Sequence, residues 1–112
     1  MERREARLLR LYALGPGDYE AMLVIQGGRC AICREEPKPG RHLAVDHRHG
    51  DGLTRGLLCW LCNKALQAFR DDVARLRAAA AYLEEPPATH ALGGARYGRT
   101  GRVTTRTKRR RK

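Results

Sequence analysis

The chain has 112 residues and a formal charge of +11, with 31% charged and only 5% aromatic side chains. Those figures predict one small domain with a thin core, the kind that needs a disulfide, a metal or a partner as a staple. No stretch approaches the ~20 apolar residues of a membrane span, and MERREARLLRLYALG interleaves leucines with arginines, unlike a signal peptide. No membrane partner is expected, and the cytoplasm, where thiols stay reduced, is the expected compartment.

Residues 2–13 place Leu8, Leu11 and Tyr12 at helical spacing among arginines and predict a short basic amphipathic helix. GPGD at 15–18 interrupts it. Asp18 is then placed to cap a second helix over Tyr19–Gln26, which Gly27 and Gly28 stop. Met22, Leu23 and Gln26 mark the face that packs onto the next unit of the chain. Pro37, Pro39 and Gly40 predict a loop. HLAVDH has strand content, HGDG at 49–52 is a turn signal, and LTRGLLC reads as the returning strand of a β-hairpin. From about Asn63, apolar residues fall at Leu66, Phe69, Val73, Leu76, Ala80 and Leu83. Steps of three and four predict one helix, ended by Glu84-Glu85-Pro86-Pro87. Its apolar stripe packs either on the first two helices or on a second copy of the chain, a homodimer.

Residues 93–112 hold nine of the 23 basic side chains and no acid. This segment is expected to be a disordered basic tail whose partner is a polyanion, nucleic acid first, although a plain solubility tail has the same composition. The expected organisation is therefore residues 1–28 as N-terminal helices, 29–88 as the core with its long helix, and 89–112 as the tail. The fold class is α+β.

All four cysteines lie in two CxxC pairs, Cys30/Cys33 and Cys59/Cys62, with 25 residues between the pairs. Each pair turns two sulfurs toward one point, and two such knuckles give the tetrahedral thiolate set that suits structural Zn2+. A redox CxxC fits poorly, since it needs one pair beside a βαβ pattern, and disulfides fit a secreted chain. Trp60, between two ligands, is expected to pack over the knuckle.

Zinc leaves the histidines unexplained. A regular strand puts His47 and His49 of VDHRH on one face and Asp46 on the other, an alternation that a turn can break. Asn63 follows the last cysteine, so a zinc site that fixes Cys62 also fixes Asn63. Asp46 and Asn63 offer hard oxygens suited to Mg2+ or Mn2+, beside a histidine able to take a proton from water. The competing reading is a polar surface turn. Arg48, Arg55 and Lys64 lie near in sequence, as contacts to flanking phosphates or as ordinary solvated charges.

GGRCAIC, LAVDHRH, GLTRGLLCWLCNKAL and DDVARLRAAAAYL together resemble the recombination endonuclease VII family of phage-type HNH nucleases. The resemblance spans about residues 5–85 and implies a zinc-stapled ββα-metal (His-Me finger) core with flanking helices. It implies a DNA endonuclease acting in a bacterial or phage-infected cell. Zinc would sit on Cys30, Cys33, Cys59 and Cys62. The catalytic divalent metal would sit on Asp46 and Asn63. His47 would be the general base, and His49 would contact the scissile phosphate or support the site. Junction-resolving relatives can carry a carboxylate about three residues past the asparagine, where this chain has Leu66. A zinc-stapled DNA-binding module that does not cut is the alternative.

Overall fold

The computed structural model of the chain describes residues 3–99. The element order is α1 (Arg3–Tyr12), α2 (Asp18–Ile25), β1 (Ala44–His47), β2 (Thr54–Leu58), α3 (Trp60–Ala68), α4 (Val73–Glu84) and α5 (Pro87–Ala91). The chain divides into two compact units between Val73 and Ala74. The first holds α1, α2, both strands and α3; the second holds nearly all of α4, and α5. Most of the basic tail, residues 100–112, lies outside the described residues.

In the first unit β1 and β2 form a two-stranded antiparallel sheet. Leu43, Val45, Leu57 and Leu58 are buried in one core cluster with Leu14 of the α1–α2 link and Tyr19 of α2. Leu57 is fully buried. Burying a leucine contributes about 1.5–3 kcal/mol, so a handful of such residues carries the apolar part of the stability. Two polar ties fix the helices on this sheet. The Tyr19 hydroxyl donates to the Leu43 carbonyl at 2.6 Å, and the Thr54 hydroxyl donates to the Tyr12 carbonyl at 3.0 Å.

Gln26 makes a third tie. Its side-chain oxygen accepts from the Leu57 N–H at 2.9 Å, while its amide nitrogen donates to the Leu57 carbonyl at 2.9 Å and the Arg29 carbonyl at 2.8 Å. The buried amide thus stands beside β2 as a neighbouring strand would. Gly56 permits this approach, since a Cβ there would lie 3.2 Å from the Gln26 oxygen. The face marked by Met22, Leu23 and Gln26 does pack inward, with both apolar residues against the core.

The helix ends follow their glycines in one place and not in another. After α2, Gly27 and Gly28 both have positive φ, and their N–H groups close back on the Val24 and Leu23 carbonyls. That is the glycine-stopped C-terminus expected from sequence. Asp18, expected to cap α2, is instead its first residue. Gly17 occupies the cap position at φ 85°, and the Asp18 carboxylate accepts from the Gly15 N–H at 2.8 Å. Gly17 reaches that left-handed backbone without a Cβ penalty, so the boundary moves one residue and the acid turns back onto the link.

The single helix expected from Asn63 to Leu83 is two helices. α3 stops at Ala68, Arg70 and Asp71 take left-handed φ values of 59° and 55°, and α4 begins at Val73. The Arg70 and Asp71 N–H groups close on the Gln67 and Leu66 carbonyls, the same closure as after α2 but without glycine. Two consecutive aspartates are poor helix-interior residues that favour helix starts, and here they outweigh an unbroken apolar stripe. The expected stop does fall where the Glu84-Glu85-Pro86-Pro87 run begins, since α4 ends at Glu84. Pro87 opens the short helix α5, a first-turn position where its missing N–H costs nothing.

Candidate functional site

The two CxxC pairs meet. The four Sγ atoms of Cys30, Cys33, Cys59 and Cys62 all lie within 4.8 Å of one another, and Cys33 Sγ is 3.9 Å from Cys59 Sγ. A tetrahedron with zinc–sulfur bonds of about 2.3 Å has edges of roughly 3.8 Å, so the cluster fits zinc, and none of the four thiols is in a disulfide. Backbone holds it in place. The Ala31 N–H donates to the Leu57 carbonyl at 3.1 Å, tying the first knuckle to β2. Cys59 is the N-cap of α3, and its sulfur accepts from the Cys62 N–H at 3.4 Å.

The thiols are not equivalent. Burial raises the pKa of Cys30, but backbone hydrogen bonds from Cys59, Cys33 and Ile32 outweigh it and bring the thiol down to about 6. Burial and the neighbouring thiols push Cys62 up to about 12. Such a set shares few charges until a cation arrives, and binding zinc releases protons. Trp60 does not pack over the knuckle. It is 56% exposed, with the Lys64 ammonium 5.7 Å from its ring centroid. Residues 59 and 62 must face the sulfur cluster, and one helical step of about 100° from Cys59 turns residue 60 outward.

At the other face of the same hairpin lies a cleft of about 130 Å³, lined by Asp46, His47, His49, Arg55, Asn63 and Asp71 among others. The strand register explains part of this gathering. Asp46 pairs with Gly56 but His47 pairs with Thr54, so Arg55 is an extra residue, a β-bulge. A bulge adds local twist and re-aims side chains, and the simple alternation that would part Asp46 from His47 gives way here. The rings of His47 and His49 are neighbours, with centroids 5.8 Å apart, as a shared face requires. Tyr12 at the end of α1 lies against His47 with its centroid at 5.5 Å. Asn63 reaches the cleft from the first turn of α3, where its N–H bonds to the Cys59 carbonyl at 3.0 Å.

Asp46 is buried, and its carboxylate is gripped by Arg55 through two hydrogen bonds, Nε to Oδ2 at 2.6 Å and Nη2 to Oδ1 at 3.1 Å. The same Nη2 donates to Asp71 Oδ1 at 3.2 Å. Hydrogen bonding to Asp46 raises the Arg55 pKa, despite partial desolvation, and Asp71 adds to it. Arg48 is likewise engaged, its Nε donating to Asp51 Oδ1 at 2.9 Å within the turn. That bond holds the Asp51 carboxyl well below the usual range. The three basic residues singled out from sequence therefore have partners within the protein: Arg48 on Asp51, Arg55 on Asp46 and Asp71, and Lys64 over Trp60.

Sequence reasoning missed Asp71. It lies eight residues past Asn63, in what looked like the middle of a helix. The only available signal was the Asp71-Asp72 pair itself, which marks a helix boundary rather than a site.

A hairpin carrying a four-thiol corner that could hold zinc, followed directly by a helix, defines a small α+β class of protein. The family described as recombination endonuclease VII matches residues 5–85, and the chain belongs to that family. The chain is 41% identical over 90 residues to the Gene 59 protein of Mycobacterium phage D29, an alignment covering 80% of this chain and 54% of the relative. It is 40% identical over 90 residues to the Gene 59 protein of Mycobacterium phage L5, covering 80% and 55%. The chain thus spans about half the length of these curated relatives. No solved structure matches it. Among the described residues no helix is long and apolar enough to cross a membrane.

Proposed function

We propose that this chain is a metal-dependent DNA endonuclease of the HNH kind, with β1, β2 and α3 as its ββα-metal unit. The observation that carries the reading is the convergence of Asp46, His47, His49 and Asn63 on one cleft beside a four-thiol corner. Family membership supplies the substrate class, DNA.

In this mechanism His47 takes a proton from water at a ring nitrogen while the water oxygen bonds to phosphorus; the bond from phosphorus to the 3′ oxygen breaks, and that oxygen takes a proton from solvent. Tyr12 and His49 pack against its ring and limit its rotation. Asp46 and Asn63 would hold Mg2+ or Mn2+, which when bound supplies Lewis-acid stabilisation of charge on the phosphate. The donor set fits, because both residues offer hard oxygens. Arg55 occupies one side of each Asp46 oxygen, but a carboxylate oxygen has a second lone pair with which to serve a cation. Asp71 holds Arg55 from its other side and so steadies the grip on Asp46. His49 contacts the scissile phosphate, and cleavage leaves 5′-phosphate and 3′-hydroxyl ends. Branched DNA in a phage-infected cell is one candidate substrate, beside duplex and packaging ends. A homodimer through the apolar stripe, of which Val73 and Leu83 are exposed, would supply two such clefts, one for each strand.

The experiment is nicking of supercoiled plasmid with Mg2+, with EDTA, and with the His47→Ala variant. Nicking should need Mg2+ and His47. A variant that nicks at the parent rate removes the mechanism. Tight DNA binding with no nicking under any metal points instead to a zinc-stapled DNA-binding module. Comparing a four-way junction with linear duplex tests whether branched DNA is preferred.

A further inference from the structure

A second, larger groove shares lining residues with the cleft. About 600 Å³ in volume, it is lined by Arg3, Arg4, Arg7, Tyr12, Tyr19 and His42, together with the start of β1. No carboxylate belongs to its lining among the described residues. Tyr12, Ala44 and Val45 line both the groove and the cleft, so the two are neighbours across the start of β1 and the end of α1.

We propose that this groove is a binding site for the DNA sugar-phosphate backbone, guiding the strand next to the scissile phosphate. It rests on the nuclease reading of the cleft. The geometry is directional. The C-terminal end of α1 touches His47 through Tyr12, and the helix leads away from there toward its arginines. Ten helical residues span about 15 Å, and a duplex strand advances about 3.4 Å per phosphate along its axis, so α1 runs beside about four nucleotides. Arg3 and Arg7 sit one turn apart on one side of the helix and are exposed. The Arg4 guanidinium lies 4.5 Å from the ring centroid of Tyr19, whose hydroxyl is anchored on the Leu43 carbonyl. One charge is thus set in place over the groove before any ligand arrives. Arg55 in the cleft lining is held by Asp46 and Asp71, and Arg48 in the turn by Asp51, whereas the α1 arginines face a lining without carboxylates.

The test is the salt dependence of duplex binding in a His47→Ala background. Arg3→Gln/Arg7→Gln removes two charges with little change in helix propensity. The log–log slope should fall by about 0.9 per lost contact, roughly 1.8 in all. In the cleavage-competent protein the same pair of substitutions should raise KM and leave kcat at saturating DNA nearly unchanged. Arg3→Lys/Arg7→Lys should keep the slope. The charge-matched variant Arg29→Gln/Lys38→Gln, in the same unit but outside the groove's lining, should leave it near the parent value. If the parent binds and the groove variant matches either the parent or this control, the inference is overturned while the nuclease reading stands. A parent that binds no DNA overturns the nuclease reading, and the inference with it.

Discussion

The sulfur corner and the oxygen cleft share a hairpin and are built in opposite ways. Each half of the corner is local: two cysteines three positions apart, one pair in a tight turn and the other at a helix start. The cleft has no local half. Its side chains come from β1, from the turn, from a bulge in β2, from α3 and from the segment after α3. The corner needs little more than its metal to define its shape, whereas the cleft inherits its shape from everything around it. Asn63 is the hinge between them, one residue past a thiol and already in the cleft. Damage should therefore travel from corner to cleft and not back.

The largest effect should come from the corner. Structural zinc contributes on the order of 10 kcal/mol in small domains, comparable to a whole domain's stability. Cys59→Ser, or stripping zinc with a strong chelator, should unfold the first unit and abolish nicking together. Circular dichroism read beside elemental analysis checks this, with about one zinc per folded chain expected. A folded, zinc-free protein would break the comparison at its root.

His47→Ala is the reverse experiment. Nicking should slow by about 10²–10⁴-fold, while zinc content and melting temperature stay at parent values. If zinc were lost, the cleft would be feeding back on the corner. Next in size is Gln26→Ala, which touches neither metal site. It leaves the Leu57 N–H and carbonyl without their side-chain partner, a loss of about 1–3 kcal/mol by denaturant melts. Asp71→Asn should be smallest. Asparagine tolerates the left-handed backbone as aspartate does, so the change isolates the charge. The pair is partly exposed and its loss should cost about 1 kcal/mol or less. With Arg55 less neutralised beside Asp46, half-maximal nicking should need more Mg2+; an unchanged metal requirement would remove Asp71 from the site.

The same contrast explains how much of this was legible in the sequence. The cysteine corner could be read from spacing because each CxxC is a local geometric statement. The hairpin was legible from alternation and the HGDG turn, and the inward face of α2 from three residues. The bulge at Arg55 was not, because it is a property of two strands in register. The break after Ala68 was hidden by an apolar stripe that runs through it unbroken. Periodicity reports which face is buried and not whether the backbone bends between two turns. Trp60 misled for a related reason: residue type suggested burial, and the helix start at Cys59 set its direction. That Asp46, His47 and Asn63 share one cleft could be expected because the cysteine next to Asn63 and the turn next to His47 limit where they sit. Asp71 depends on two non-glycine residues adopting left-handed backbone, which composition does not announce.

The Gln26 amide has a consequence beyond holding α2 in place. A two-stranded sheet has two open edges, and an open edge invites pairing with other chains. At the centre of β2 that invitation is already answered, since Gln26 takes both the N–H and the carbonyl of Leu57 and the Ala31 N–H adds a second bond to that carbonyl. A side chain stands in for a third strand without supplying an edge of its own. On the β2 side the minimal sheet therefore presents no free Leu57 group to a neighbouring chain. The Leu57 amide, enclosed on every side, should be among the slowest in the chain to exchange its hydrogen with solvent.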